Sequence, residues 1–361
     1  MTSRRGPATK GKVAYIALRR LHIKRLNTDD EYVTSTPDTP NQQSVPAPAQ
    51  TTPRGTEPSA TQRARRSARN GLLAGIGCYA IWGCIPIFFN AIGRAGPVEI
   101  LAHRVVWSLV FCVIILVLSR RWSRFTATLR NGRALRTLAV ATVLILCNWL
   151  VYVYAVTSGH VLDASLGYYI NPLVTVILAV LVQKERVQPL TWIALGFGAG
   201  AVIVLTVGMG TLPWVSLVLA FSFGFYGLLK SRIGSSVDSL TSLSVETLLA
   251  APFALGFLIW LTAIGQSTFG TGGSLHTVLL ICSGIITALP LLFFGYSAQH
   301  LPLSTLGMLQ YLGPTIQFII ALAVFNEPMP PARWIGFVLV WVAVVLAAVS
   351  AARHSRMVNN R

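Results

Sequence analysis

The sequence predicts an all-α polytopic membrane protein whose ten transmembrane helices form two inverted five-helix repeats, and three observations carry that reading. The 361-residue chain is 53% hydrophobic and only 11% charged, a balance outside the range of water-soluble domains. Ten apolar stretches can be marked, near 71–92, 98–119, 135–156, 162–181, 190–207, 212–229, 242–261, 275–297, 303–324 and 332–350, each close to the roughly 20 residues that cross hydrocarbon as a helix. Finally, Tyr154, Tyr169, Pro172, Glu185, Trp192 and Ile193 recur as Tyr296, Tyr311, Pro314, Glu327, Trp334 and Ile335, a constant offset of 142 positions. Five helices per copy is an odd number, so the second copy enters the bilayer in the opposite sense.

Residues 1–70 are expected to be a disordered, basic cytoplasmic tail, 71–207 the first repeat, 208–352 the second, and 353–361 a cytoplasmic C-terminal tail. The N-terminal tail holds 13 of the 29 Lys and Arg. From Asp29 to Ser67 it has too little apolar surface to offset the entropy of folding, and Arg63, Arg65, Arg66 and Arg69 suit anionic lipid headgroups. The net charge of +18 invites a nucleic-acid reading, but the remaining basic residues flank apolar runs, and no nucleic-acid partner is expected. With the N-terminus inside, the inward segments after the tail hold 13 Lys and Arg, from Arg120 to Arg361, against Arg94 and Arg333 outside. This bias predicts a multi-pass membrane protein with both termini cytoplasmic.

Taken in chain order, the stretches differ in the polar residues they carry, and ionisable groups at membrane depth are costly enough to be functional candidates. The second stretch opens with Glu99, His103, Arg104 and Trp107; Glu99, His103 and Trp107 share one helix face. The alternative is that Glu99 and Arg104 are interfacial anchors. Arg104 plus 142 is Glu246 in the seventh stretch, and a pseudo-twofold axis would set the two at matching depths from opposite surfaces, about 6 to 9 Å in. That separation predicts no direct pairing, with His103 or Glu246 as a proton carrier. Asn148 and Trp149 in the third stretch stand opposite Pro290 in the eighth by the same offset, and add polar groups to the same interior.

The fourth stretch carries Tyr168, Asn171 and Pro172, and the ninth Gln310, Tyr311 and Pro314. Proline removes a donor and clashes with the preceding turn, so both helices are expected to kink, and paired irregular helices point to a substrate site. A kink that serves packing alone is the competing explanation. Gly196, Gly198 and Gly200 in the fifth stretch imitate a nucleotide-binding pattern without a preceding strand, and close helix packing explains them better. Trp82, Phe221, Phe223, Phe225 and Tyr226 are read as packing. The five cysteines all fall in apolar stretches and show no metal-ligand spacing, so they are read as small buried hydrophobes. No metal, cofactor or nucleotide-binding module is expected.

Ile81-Trp82-Gly83, Glu99-Ile100-Leu101 with His103-Arg104, Asn148-Trp149-Leu150, Ile170-Asn171-Pro172-Leu173, Phe221-Ser222-Phe223, and Gln310-Tyr311 with Gly313-Pro314-Thr315 resemble the RarD proteins of the EamA branch of the drug/metabolite transporter superfamily. The resemblance covers roughly 71–350 and implies a ten-helix inner-membrane permease of two EamA repeats; it brings no binding residues, and the long tail departs from its pattern. The expected function is therefore a secondary transporter, exporting a small metabolite or drug by alternating access. The expected partners are that substrate and the lipid bilayer, with proton coupling and a homodimer left open. A membrane-embedded enzyme acting on lipid, with Glu99 and His103 as acid and base, and a non-transporting sensor or scaffold are the alternatives. Charged groups of both signs fall inside the stretches, so the sequence favours neither an anionic nor a cationic substrate.

Overall fold

The computed structural model describes residues 60–184, 187–233, 236–301 and 303–359. Every regular element among them is helical, as hydrocarbon demands of a backbone that must satisfy its own hydrogen bonds. The helices are α1 (Ala60–Ala91), α2 (Gly96–Leu118), α3 (Trp122–Arg130), α4 (Gly132–Thr157), α5 (Val161–Gln183), α6 (Pro189–Met209), α7 (Trp214–Ile233), α8 (Ser239–Ala263), α9 (Ser274–His300), α10 (Leu303–Leu309), α11 (Leu312–Ala323) and α12 (Pro331–Asn359), with a 3-10 turn at Gly93–Ala95. Ten spans are long and apolar enough to cross a membrane, the ninth running through α10 and α11.

The repeat is visible in the element boundaries. Gly132 and Ser274 open α4 and α9, Val161 and Leu303 open α5 and α10, and Pro189 and Pro331 open α6 and α12. Packing obeys the same correspondence. Helix α5 lies on α7 as α11 lies on α1, and α9 lies on α1 as α4 lies on α7. The pairs α2 with α8, α5 with α11 and α6 with α12 join each helix to its own repeat mate. Large apolar side chains such as Val207, Phe253 and Leu118 stay on the outer surface, where lipid rather than water receives them.

Several boundaries differ from expectation. Helix α1 begins at Ala60 and α12 runs to Asn359, so helix enters both segments expected to be tails; Ala, Gln and Arg there are good helix formers and prolong an apolar helix beyond the bilayer. Residues 1–59 lie outside the described residues. The stretch between the second and third spans folds into α3, which buries Phe125 and Thr128; one amphipathic turn-pair is too short to register as a span.

The prolines are accommodated in different ways. Pro86 within α1 cannot bond the carbonyl four residues back, and Gln317 Nε2 of α11 donates to that Trp82 oxygen at 3.2 Å. Helix α5 continues as one helix through Pro172. The ninth span is broken at Gln310–Tyr311, and Pro314 falls in the first turn of α11, where a missing N–H has no partner to lose. Paired irregularity thus becomes a break in one repeat only.

At two glycines the backbone of another helix comes close. A Cβ on Gly284 of α9 would run into the α2 backbone at Trp107 and lie 2.5 Å from the Ser108 nitrogen, and one on Gly167 of α5 would lie 2.8 Å from the Ser216 carbonyl oxygen of α7. Of the clustered glycines Gly196, Gly198 and Gly200 in α6, Gly198 meets Leu173, whereas Gly196 and Gly200 face open space; among these three, close packing accounts for Gly198 alone. The cysteines are free, and Cys78 and Cys112 are buried. Cys84 and Cys147 are exposed, which corrects their reading as buried hydrophobes.

Candidate functional site

The interior is built around Arg104, which α2 carries into the bundle at 5% exposure. Its Nε donates to Thr287 Oγ1 of α9 at 2.7 Å. The guanidinium lies 4.1 Å from the centroid of Trp149 on α4 and 5.4 Å from that of Phe89 on α1. Such cation–π contacts are worth about 2 kcal/mol when desolvated, less than the several kcal/mol that burying an unmatched ion costs. No carboxylate among the described residues forms an ion pair with Arg104, and its second donor nitrogen, Nη1, has no hydrogen-bond partner. Arginine stays protonated even here.

Aromatic and amide groups continue the cluster. Phe89 packs against Tyr152, and Tyr152 against Tyr168, with centroids 6.2 Å and 5.6 Å apart. The Tyr168 hydroxyl donates to Asn148 Oδ1 at 3.3 Å, while Asn148 Nδ2 donates to the Leu219 carbonyl and to Ser222 Oγ of α7, both at 3.0 Å. The buried Tyr152 hydroxyl has no partner. Asn148 and Tyr168, marked from sequence, are therefore brought together with Arg104; Tyr152, Thr287 and Ser222 were not. Tyr152 follows Asn148 at i and i+4 on α4, a signal that a search for polar faces could have used.

Glu99, Glu246 and His103 each meet a different environment. Glu99 Oε1 accepts from Ser267 Oγ and the Thr268 amide at 3.0 and 2.8 Å, and Oε2 from Thr268 Oγ1 at 3.1 Å, so it pins the α8–α9 loop. His103 stacks on Phe269 of that loop and accepts from Trp107 Nε1 at 3.3 Å, which leaves its Nε2 buried and unpartnered. Glu246 is 2% exposed and bonds Lys230 Nζ at 2.7 Å, Tyr226 OH at 3.2 Å and Ser242 Oγ at 3.2 Å; Lys230 also donates to Ser242. Tyr226, read as packing, is thus a polar partner. Arg104 and Glu246 do not pair. Because α2 and α8 begin at Gly96 and Ser239, the two residues lie about 12 Å and about 10 Å along their helices at ~1.5 Å per residue, nearer the midplane than anticipated.

The crossing of α5 with α11 is a second polar seam. Ser165 Oγ donates to the Pro314 carbonyl at 2.9 Å, and the Tyr169 hydroxyl and Thr315 Oγ1 share a hydrogen bond at 2.7 Å. Tyr311 stacks on Tyr169 with centroids 6.4 Å apart. The half-buried Asn171 leaves its Oδ1 unpartnered, and Gln310 sits at the helix break. Of these, Ser165, Tyr169 and Asn171 lie on the same helix α5 that carries Tyr168.

Residues 69–207 and 212–349 each match the EamA-like transporter family. The chain belongs to that family. Within it the protein is RarD-like. It is 47% identical over 294 residues to Protein RarD of Streptomyces exfoliatus, covering 81% of this chain and 93% of that one. Identity to an uncharacterized transporter of Vibrio cholerae is 40% over 298 residues, covering 81% and 98%. A crystal structure with 16% sequence identity matches at a TM-score of 0.53, over 79% of this chain and 98% of that chain, a likeness of fold alone. This EamA protein is a multi-pass membrane transporter of the drug/metabolite superfamily.

Proposed function

We propose that the chain is a gradient-driven secondary carrier that exports a small metabolite or drug by alternating access, acts as a transporter rather than an enzyme, and resides in the plasma membrane with both termini cytoplasmic. The observation that carries this reading is the break of the ninth span at Gln310–Tyr311, set against continuous α5 at the interface between repeats. The interruption is a tight turn, with the Gln310 and Tyr311 amides bonding the Leu306 and Met308 carbonyls, and irregular helices at a repeat interface form transporter substrate sites. Rocking of α10 and α11 on α5, through the Tyr169–Thr315 and Ser165–Pro314 contacts, would open the interior first to one side and then to the other. The printed name of the Vibrio relative, a transporter, adds support.

A lipid-modifying enzyme draws less support, because both oxygens of its proposed acid Glu99 are occupied by the 267–268 loop. The deciding experiment compares intracellular and extracellular metabolites in cells producing the native chain and a Pro172→Ala/Pro314→Ala variant at equal membrane level. A compound moved outward by the native protein alone supports the carrier and the seam. Equal profiles from two correctly inserted proteins would remove both.

A further inference from the structure

Six acidic residues lie between positions 71 and 350, and the structure describes five of them. Glu99 is held by Ser267 and Thr268, Glu246 by Lys230, Glu327 by the amides of Val161 and Leu162, Asp163 by Arg333, and Asp238 by Arg121 and the Thr241 amide. Each of the five therefore has its own partner, and none reaches Arg104. The mismatch leaves one buried cation, an unpartnered Nη1 and an unpartnered Tyr152 hydroxyl in the same cluster, joined by Phe89, whose ring lies 5.4 Å from the guanidinium and 6.2 Å from the Tyr152 ring.

We infer that Arg104 and Tyr152 bind the carboxylate of a small monoanionic substrate, whose apolar body lies against Trp149, Phe89 and Tyr168. The inference rests on the carrier reading and specifies the class of its cargo. The charge count favours a carboxylate over a phosphate: a single arginine neutralises one unit, whereas a phosphate group carries up to two at neutral pH and would leave the excess in a low-dielectric interior. The Nη1 group and the Tyr152 hydroxyl can each donate to a carboxylate oxygen, and a planar guanidinium packed on aromatic rings is pre-oriented to meet one. A neutral or cationic substrate would leave the arginine as unmatched as the fold leaves it. An anionic one relieves the cost of the buried charge on loading.

The test uses the full-length protein purified in detergent, with benzoate, benzamide, benzylammonium and inorganic phosphate as probes, and thermal unfolding as the first readout. Benzoate should raise the midpoint by about 2 °C or more at saturating concentration, and the isosteric amide, the cation and phosphate should not. Arg104→Gln should abolish the benzoate shift while unfolding at or above the native temperature, since it removes an unmatched charge; Tyr152→Phe should weaken benzoate binding about tenfold. Equal stabilisation by benzoate and benzamide, no stabilisation by any probe, or a benzoate preference that survives Arg104→Gln would each overturn the inference. The carrier reading fails separately. Selective benzoate binding without any exported compound in the cell comparison would leave the carboxylate site standing, while export of only neutral or cationic compounds would leave the carrier standing and end the carboxylate site.

Discussion

Glu327 shows how one residue can organise a membrane helix from outside it. It lies in the connection between α11 and α12, is 6% exposed, and accepts from the Val161 and Leu162 amides at 2.5 and 2.9 Å, so it occupies the N-terminus of α5 from the other repeat. Burial raises its carboxyl above the ordinary value of 4.5, against the lowering influence of the two amides and of Arg333. The folded state therefore holds the proton more tightly than the unfolded chain, so this residue's contribution is fullest below pH 4.5 and declines as pH climbs through the raised value. Glu327→Ala should cost about 1 to 2 kcal/mol by stripping both amides of their acceptor, and it should also flatten that acid-range slope. Thermal unfolding across pH checks both, and an unchanged midpoint with an unchanged slope would refute the capping role. The repeat pairs Glu327 with Glu185, yet no local pattern hints at the cap, because its partners are backbone amides 165 and 166 residues away.

Helices in this protein meet through backbone contact as much as through side chains, and α2 with α9 is the sharpest case. With no hydrophobic driving force between helices in lipid, close approach depends on small residues. At Gly284 the α2 backbone lies where a Cβ would go, 2.5 Å from the Ser108 nitrogen, and Ser108 Oγ donates to the Gly284 carbonyl at 3.3 Å. Backbone cannot rotate aside as a side chain can. Gly284→Ala should therefore separate α2 from α9, lower stability by about 1 to 3 kcal/mol as overpacking does, and disturb the Arg104–Thr287 contact one turn further along the same interface. Gly196→Ala, at a site with open space, should be neutral or slightly stabilising through helix propensity. Unfolding temperatures of the two variants in detergent make the comparison, and equal effects would show that the close approach carries no weight. Nothing in composition separated these glycines. Gly196, Gly198 and Gly200 drew notice because they cluster, whereas Gly284 stands alone and its neighbour is 176 positions away.

The whole molecule was legible wherever a rule acts along the chain, and obscure wherever partners come from different helices. Span count and repeat offset follow from apolar length and from residue identity at fixed spacing, and the α4, α5 and α6 starts recur 142 positions later. Arg104 was legible as an ionisable group at depth; its rings from α1 and α4 and its hydroxyl from α9 depend on packing that no local pattern encodes. The same limit hid Lys230 as the partner of Glu246, although Tyr226 and Lys230 on α7, like Ser242 and Glu246 on α8, stand four apart on facing surfaces. Orientation belongs to this largest scale, since it is set by a sum over loops. Arg120, Arg121, Arg124, Arg130, Arg133 and Arg136 gather about α3 at one end of the bundle, while at the other end Arg333 is matched by Asp163 at 3.5 Å. The excess of positive charge lies at the α3 end, where among the described residues Arg121 alone of the six forms an ion pair, with Asp238, and that end should therefore be retained in the cytoplasm. In a variant lacking the five native cysteines, Thr271→Cys in the α8–α9 loop should react with a membrane-impermeant maleimide added to intact cells, and Ala127→Cys in α3 should react only after lysis. The reverse pattern would invert the protein, and with it the side of the membrane to which Glu99, His103 and the 267–269 loop belong.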